Sequence, residues 1–438
     1  MLEGFSNASR IPELRRRLLF TAAMLVVYRV GVAIPTPGID GQALSSFFDS
    51  SSASTLFGFA NLFSGGALER FSIFALGIMP YISVAIILDL LKIGWPYLDE
   101  LYKEGEAGRR KIAQYTRYGT VGLALVQGTM IAFSLEKIQA PGGGTVVYNP
   151  GPGFIAMTVI TVTAGTMFVM WIGEQITERG VGNGISLIIM SGIIARLPSA
   201  IGTTVQFVRE GEMSIFLLVL ILAMAFGVMA VIVYVESGQR RIPVQYARRV
   251  VGRRVYGGQS SHLPLKVNTS GVIPPIFASS ILIFPATLAT VVPALKWISG
   301  YITPGSLVYN VVYVILIIFF CYFYTAVTFN PVDVADNLKK YGGFIPGIRP
   351  GRHTAEYIDR VLSRITLGGA IYVSAVCILP TILIQRFNVP FYFGGTALLI
   401  VVGVALDTVA QIETHLLSRN YESFMGGPRG GGRSRKRA

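Results

Sequence analysis

Ten long apolar runs alternate with shorter polar stretches along this sequence. Most of the runs have the roughly 20 residues that an α-helix needs to cross a bilayer. They occupy residues 18–34, 74–91, 118–135, 154–173, 185–202, 214–235, 272–292, 307–329, 367–385 and 394–412. The pattern therefore predicts an all-α polytopic membrane protein with ten transmembrane helices.

Two of the runs are interrupted by helix-breaking residues at corresponding places. The second run contains Gly77 and Pro80, and the seventh contains the pair Pro274-Pro275. Lipid offers no hydrogen bonds to freed backbone groups, so a broken helix must be buried in protein or line a water-filled path. Because each break lies in the second run of a set of five, we predict two inverted halves that meet at a central path. Ordinary proline kinks in packed helices are the alternative.

Composition and charge support this class and give it an orientation. Hydrophobic residues make up 52% of the 438 residues, charged residues only 14%, and the mean hydropathy is +0.58, which leaves too little polar surface for a soluble globule. If the loops alternate sides, 30 of the 37 Lys and Arg residues fall on the side of the N-terminus. Basic loops stay in the cytoplasm, so both termini are expected there. We expect an N-terminal half over 1–212, a C-terminal half over 213–425 and a disordered basic tail over 426–438.

Two stretches on the basic side stand out in composition. Residues 237–272 contain no acidic side chain and suit an anionic partner, either RNA or an acidic protein. Their basic residues are Arg240, Arg241, Arg248, Arg249, Arg253, Arg254 and Lys266. In residues 330–365, a Pro- and Gly-rich turn from Pro346 to Gly351 presents Arg349 and predicts a docking tip. Lipid headgroups and the general inward bias of basic residues remain alternatives.

Residues that carry catalytic or cofactor chemistry are scarce. The sequence contains no Gly-Lys dipeptide, so it has no Walker A loop to hold nucleotide phosphates. The three histidines match no zinc motif, and Cys321 and Cys377 lie in apolar runs, where packing is the expected role. We predict no enzymatic activity and no cofactor or metal.

Charge within the runs separates the possible transport mechanisms. Ion-coupled carriers place ionisable groups at mid-bilayer, and an intramembrane protease needs paired Asp or a Ser/His arrangement at that depth. Only Asp407 lies well inside a run, and it either bonds to a neighbouring helix or relays protons. An ion-coupled secondary transporter of a small solute therefore remains the competing hypothesis.

The glycine-rich stretch from Gly58 to Arg70 precedes the first broken run. It is too short to span the membrane. It predicts either a re-entrant stopper or an amphipathic helix on the membrane surface.

Several long motifs together resemble the SecY family, the pore subunits of the bacterial Sec protein-translocation channel. The matching strings begin at Gly77 (GIMPYIS), Thr177 (TERGVGNGIS), Arg241 (RIPVQYA), Leu263 (LPLKVNTSGVIP) and Asn330 (NPVDVA). They occur in order, and the resemblance extends from about the first run to the end of the tenth. It implies two five-helix halves around an hourglass pore in the plasma membrane, through which unfolded polypeptides cross and from which apolar segments leave sideways into lipid.

The resemblance also implies roles for individual residues. It implies a pore ring of Ile78, Ile82, Ile185, Ile189, Ile276 and Ala405. Bulky apolar residues are usual in this ring, so either the ring is wider at Ala405 or Ile400 or Val404 takes that position. It implies a plug over residues 58–70 that includes Asn61, Leu62, Phe63, Gly65, Gly66 and Arg70. It implies a lateral gate between runs two, three, seven and eight that includes Ser83, Gln127, Ser279 and Ser280.

The partners follow from the resemblance as well. Docking of the ribosome and of the SecA ATPase is implied for Arg240, Arg241, Arg248, Arg249 and Arg349. The small membrane subunits SecE and SecG, signal peptides, nascent chains and membrane lipids complete the expected set.

Overall fold

The computed structural model describes residues 11–41, 43–45, 61, 64–138, 145–211, 214–246, 249–251, 254–256, 260–291, 306–387 and 395–425. Within these residues the principal elements are thirteen helices and five short strands. The helices of the first half are α1 Pro12–Ala33, α2 Met79–Gly94, α3 Pro96–Lys103, α4 Glu106–Lys137, α5 Pro152–Arg179, α6 Gly184–Ile194 and α7 Leu197–Arg209. Those of the second half are α8 Ile215–Glu236, α9 Ile273–Val291, α10 Leu307–Thr328, α11 Pro331–Lys340, α12 Arg352–Phe387 and α13 Gly395–Met425.

Each of the ten apolar runs coincides with helical structure. Seven helical stretches within the described residues are long and apolar enough to cross a membrane, or eight if the bent pair formed by α2 and α3 counts as one span. The chain bends by 101° between α2 and α3, and α3, which begins at Pro96, is the more polar of the two helices. The fifth run is divided, because α6 ends at Ile194 and α7 begins at Leu197.

The helices form two groups that touch along two seams. Helices α1, α2, α4, α5 and α6 contact one another in the first half, and α8, α9, α10, α12 and α13 do so in the second. Across the halves, α9 contacts α2 and α4, which we call the front seam. On the other side α13 contacts α6, which we call the back seam. A region between the halves is therefore bounded by α2, α6, α9 and α13.

Within the described part of the chain, the structure contains five short strands, which an all-α fold does not include. Strands β1 Gln239–Tyr246, β4 Ser260–Lys266 and β5 Gly343–Phe344 form a three-stranded antiparallel sheet in the order β4-β1-β5. Strands β2 Arg249–Val251 and β3 Arg254–Tyr256 form a hairpin at the tip of the first basic loop. A small core beneath the sheet contains Ile242, Leu265, Ile345 and Ile358. Alternating buried and exposed residues in β1 fit a sheet with one covered face.

Glycines allow α5 to approach its neighbours more closely than other residues would. A Cβ atom at Gly165 would collide with the carbonyl oxygen of Ile73, just before α2. A Cβ atom at Gly184, the first residue of α6, would collide with the carbonyl oxygen of Gly173 in α5. In both places the obstacle is backbone, which cannot rotate away as a flexible side chain could.

Replacing Gly165 with Ala should destabilise the protein by about 1–3 kcal/mol, because the added methyl group forces α5 away from Ile73. Thermal unfolding in detergent would measure the change. Gly122→Ala in α4 is the matched control, since nothing lies within 4 Å of its added Cβ atom and alanine favours a helix. Equal melting temperatures for both variants would contradict the close approach at Gly165.

Candidate pore and docking surface

The isoleucines beside the two helix breaks are buried in one apolar cluster. Gly77 has a positive φ of 55°, and α2 begins two residues later, which places Ile78 at the turn and Ile82 one turn into the helix. In the second half, Ile276 lies in the first turn of α9, directly after Pro274-Pro275. Ile78, Ile82 and Ile276 belong to the same buried cluster as Ile189 of α6. Isoleucines from both halves therefore lie in one buried apolar cluster, and we call Ile78, Ile82, Ile189 and Ile276 the candidate neck.

The fifth and sixth ring residues named from the sequence differ in their surroundings. Ile185 is half-buried and packs against this cluster. Ala405 is exposed, whereas Ile400 and Val404 of the same helix are buried within the cluster. Of these three residues of α13, Ile400 and Val404 therefore belong to the same apolar cluster as the isoleucines, and Ala405 does not.

Most of the described residues from 61 to 70 are buried against the first half. Asn61 and residues 64–70, which we call the stopper segment, are described, while Leu62, Phe63 and residues 58–60 lie outside the described residues. Asn61, Ser64 and Gly65 are buried, Gly66 is half-buried and Arg70 is exposed. A Cβ atom at Gly65 would lie 2.7 Å from the Cα atom of Gly192, so this backbone touches α6 directly.

Side chains of α1 hold the stopper segment at one end. The Tyr28 hydroxyl donates to the carbonyl oxygen of Ser64 over 3.2 Å. The Arg29 guanidinium donates to the carbonyl oxygen of Gly65 over 3.1 Å. Both bonds go to backbone oxygens, so they position the segment whatever side chains it carries.

An ion pair holds the other end. The Glu69 carboxylate accepts from Asn61 Nδ2 over 3.0 Å and from Arg196 over 2.8 Å. Arg196 lies at the corner between α6 and α7, so this pair, the Glu69–Arg196 latch, ties the stopper segment to that corner. Sequence reasoning missed Tyr28, Arg29, Glu69 and Arg196, because their partners lie far away along the chain and no local pattern marks them.

Four polar residues named for the gate lie in the three helices of the front seam. Ser83 of α2 and Gln127 of α4 are half-buried. Ser279 and Ser280 of α9 are buried, and both hydroxyls donate to the carbonyl oxygen of Ile276, over 2.9 and 2.8 Å. These two hydroxyl groups therefore bond within their own helix. The front seam is held by packing more than by directed polar contacts.

The two basic loops form one folded surface, the candidate docking surface. It comprises the β4-β1-β5 sheet, the β2-β3 hairpin and the turn from Pro346 to Gly351. Strand β1 of the first loop pairs with β5 of the second, with Gln245 opposite Phe344 and Tyr246 opposite Gly343. Arg240 and Arg241 are exposed on β1, and as neighbours in a strand they point to opposite faces of the sheet. Arg249 begins β2, and Arg248 lies outside the described residues.

The turn that carries Arg349 is fixed by backbone geometry. Gly347 and Gly351 have φ values of 82° and 102°, a region that favours glycine. The Thr354 hydroxyl donates to the carbonyl oxygen of Arg349 over 2.9 Å. The Arg349 side chain is exposed, so the turn presents a guanidinium at a defined place on the docking surface.

Asp407, for which the sequence leaves two roles open, has a partner outside its own helix. It is exposed, and its carboxylate lies 3.5 Å from Lys266 Nζ at the end of β4. This ion pair joins the middle of α13 to the β4-β1-β5 sheet. Within the described residues, no group of three or more His, Cys, Asp or Glu residues could hold a metal ion. Cys321 and Cys377 are buried and free.

Comparisons with known proteins agree with this architecture. Residues 72–409 match the sequence model of the SecY family. Protein translocase subunit SecY of Escherichia coli strain K12 is 53% identical over 430 residues, which cover 97% of this chain and 96% of the relative. The protein of the same name from Aquifex aeolicus is 47% identical over 428 residues, which cover 97% of this chain and all of the relative.

Solved structures share the fold at lower identity. A structure titled as that of a protein conducting channel aligns with a TM-score of 0.67 at 16% identity, covering 96% of this chain and 98% of the other. Sec61 in a canine ribosome-channel complex from the endoplasmic reticulum aligns with a TM-score of 0.64 at 16% identity over the same shares. From the family match and the close relatives along its whole length, the chain belongs to the SecY family.

Proposed function

We propose that this chain forms the pore of a protein-conducting channel that moves unfolded polypeptides across the plasma membrane. The observation that carries the proposal is the apolar cluster that contains Ile78, Ile82 and Ile276 beside the helix breaks together with Ile189 of α6. A narrow apolar neck is poorly wetted and so resists ion flow. It also offers few specific contacts, so it can widen around an extended chain of almost any sequence.

The stopper segment supports the seal in the resting channel. Its backbone lies against Gly192, and its two ends are held by Tyr28, Arg29 and the Glu69–Arg196 latch. Ala67 and Leu68 of the segment are also buried in apolar clusters, so its release gives up apolar burial as well as these polar contacts. A polypeptide that enters the neck displaces the segment by competing for the same space.

The front seam is the proposed lateral exit. Helix α9 meets α2 and α4 there, and parting them opens the neck toward lipid. Sufficiently apolar segments of the moving chain partition into the bilayer, and polar segments continue across. Ser83, Gln127, Ser279 and Ser280 are the polar residues proposed for this gate.

Energy for transport comes from partners that bind the docking surface. The chain has no Walker A loop, and its basic loops suit ribosomal RNA and the SecA ATPase. SecE and SecG are the proposed small subunits, and signal peptides and membrane lipids meet the front seam. We place both termini in the cytoplasm, on the side of the docking surface. A small-solute carrier is not favoured, because the only candidate coupling acid, Asp407, is exposed and paired with Lys266.

Changing Ile82 and Ile189 together to Ser should raise ion conductance through resting channels, because hydroxyl groups lower the free energy of wetting the neck. Single-channel recording in planar bilayers measures this leak. Ile87→Ser in α2 is the matched control, since Ile87 is 48% exposed and lies away from the neck. Val404→Ser should leak and Ala405→Ser should not, which identifies the residue of α13 at the neck. Background conductance in the double variant would overturn the position of the pore.

Binding to partners should separate the two parts of the docking surface. Charge reversal at Arg240 and Arg241 should weaken ribosome affinity and flatten its salt dependence, because each lost phosphate contact removes about one counterion from the slope. Arg349→Glu should block motor-driven secretion and leave that slope unchanged, because the fork of one fixed guanidinium makes a directed contact. Arg349→Lys keeps the charge without the fork and is the control. If both variants lost ribosome binding and motor-driven secretion to the same extent, the two loops would act as one basic surface without separate roles.

Orientation is testable with single cysteines in a background that lacks Cys321 and Cys377. Glu210→Cys, after α7, should react with an impermeant thiol reagent added outside intact cells. Glu104→Cys and Tyr341→Cys should react only after the membrane is opened, because their loops belong to the basic side. All three positions are exposed, so a lack of labelling reports the side of the membrane rather than burial. Reversal at any of the three contradicts the proposed topology.

A further inference from the structure

A short connection joins the docking sheet to the helix of the front seam. Residues 267–272, which we call the strut, follow β4 and lead directly into α9 at Ile273. Asn268 within the strut is only 3% exposed, and Ser270 is 4% exposed. Polar residues of this kind usually face solvent in a connecting loop, so their burial requires partners.

Asn268 bonds to three residues, one in α8 and two within the strut. Its Nδ2 donates to Glu236 Oε1, at the end of α8, over 2.7 Å. The same nitrogen donates to the carbonyl oxygen of Gly271 over 3.0 Å, and Asn268 Oδ1 accepts from the Ser270 hydroxyl over 3.0 Å. One side chain therefore fixes the shape of the strut and attaches it to α8.

Two further helices, α12 and α13, pack closely against the two ends of the strut through glycines. A Cβ atom at Gly369 of α12 would lie 2.8 Å from the carbonyl oxygen of Val267. A Cβ atom at Gly403 of α13 would lie 2.5 Å from Cγ1 of Val272. Both distances are shorter than real Cβ contacts, so these helices press directly on the two ends of the strut.

The sheet is attached at the same place. Val267 N donates to the carbonyl oxygen of Gly238 over 3.0 Å, which closes the base of the β1–β4 hairpin. Lys266 lies 3.5 Å from Asp407 of α13. The sheet, the end of α8, the middle of α13 and the start of α9 therefore meet within a few residues.

We infer that Asn268 is a positioning residue that couples the docking surface to the front seam. A partner that displaces the sheet moves the strut as a rigid piece, and α9 moves with it away from α2 and α4. This inference rests on the proposed function, in which the basic loops bind a partner and the front seam opens. A flexible tether would instead leave the strut exposed and let the sheet move without α9.

The bond to Glu236 is the part of the strut that can be tested most directly. A hydrogen bond to a carboxylate is stronger than one between neutral groups, and Asn268 is too buried for water to replace it freely. Losing this bond should loosen the strut while the β1–β4 pairing and the basic side chains remain. Partner affinity and gate opening should then respond differently to the same change.

The experiment measures binding and opening separately on the full chain in nanodiscs, with its small subunits. Spin labels at Ile87 of α2 and Ile281 of α9, in a background lacking Cys321 and Cys377, report the front seam by electron–electron distance measurements. Both positions are exposed, at 48% and 38%. Ribosomes are the partner added. Asn268→Ala should bind ribosomes within about twofold of the native affinity, yet its population of the opened distance should fall about tenfold.

A swap of the bonding groups controls for misfolding. Asn268→Asp alone should also fail to open, because two carboxylates face each other. Combining it with Glu236→Gln should restore part of the opening, because the amide at position 236 now donates to the carboxylate at 268 while the bond to Gly271 stays lost. Asn337→Ala removes the same side chain from an exposed place on α11 and should leave opening unchanged.

Four results would overturn the inference. Native opening in Asn268→Ala means that the sheet does not act through this residue. A loss of ribosome affinity equal to the loss of opening, or failure of the swap to restore opening, means that Asn268 maintains the docking surface instead. If the native chain neither binds ribosomes nor opens, the proposed function fails, and the coupling fails with it.

Discussion

The structure depends on one constraint, which is that a helix can be broken at membrane depth only where protein surrounds the break. Gly77 and Pro274-Pro275 free backbone groups that lipid cannot satisfy. Both breaks are therefore directed inward, and the two halves must face each other to cover them. Because the residues that follow each break are isoleucines, the same constraint that buries the breaks also places apolar side chains between the halves.

Polar and apolar contacts together hold the stopper segment. The polar contacts are hydrogen bonds and one half-exposed ion pair between Glu69 and Arg196, worth on the order of 1 kcal/mol each. Ala67 and Leu68 of the same segment are buried in apolar clusters. The segment can therefore leave its place only when both kinds of contact are lost.

The sequence was sufficient for the membrane class, the ten helical runs and the family, because hydropathy and helix breaks are local properties. Ile78, Ile82 and Ile276 lie beside breaks that can be recognised in the sequence, and they share one buried cluster with Ile189; their role as a pore ring stays a prediction. The latch, the strut and the sheet were not predicted. Glu69 and Arg196 meet across a long stretch of chain, and β1 pairs with the two-residue strand β5, which is too short to leave a pattern. Hydropathy alone does not identify the partner of Asp407, because Lys266 is distant along the chain.

The pairing of β1 with β5 has a consequence for biosynthesis. Strand β1 is made before α9, α10 and α11, whereas β5 follows all three. The three-stranded sheet therefore stays incomplete until most of the membrane helices have left the ribosome. A chain arrested before Phe344 lacks the third strand and cannot join its two basic loops into one sheet. Completion of this surface therefore follows the synthesis of helices α1 to α11.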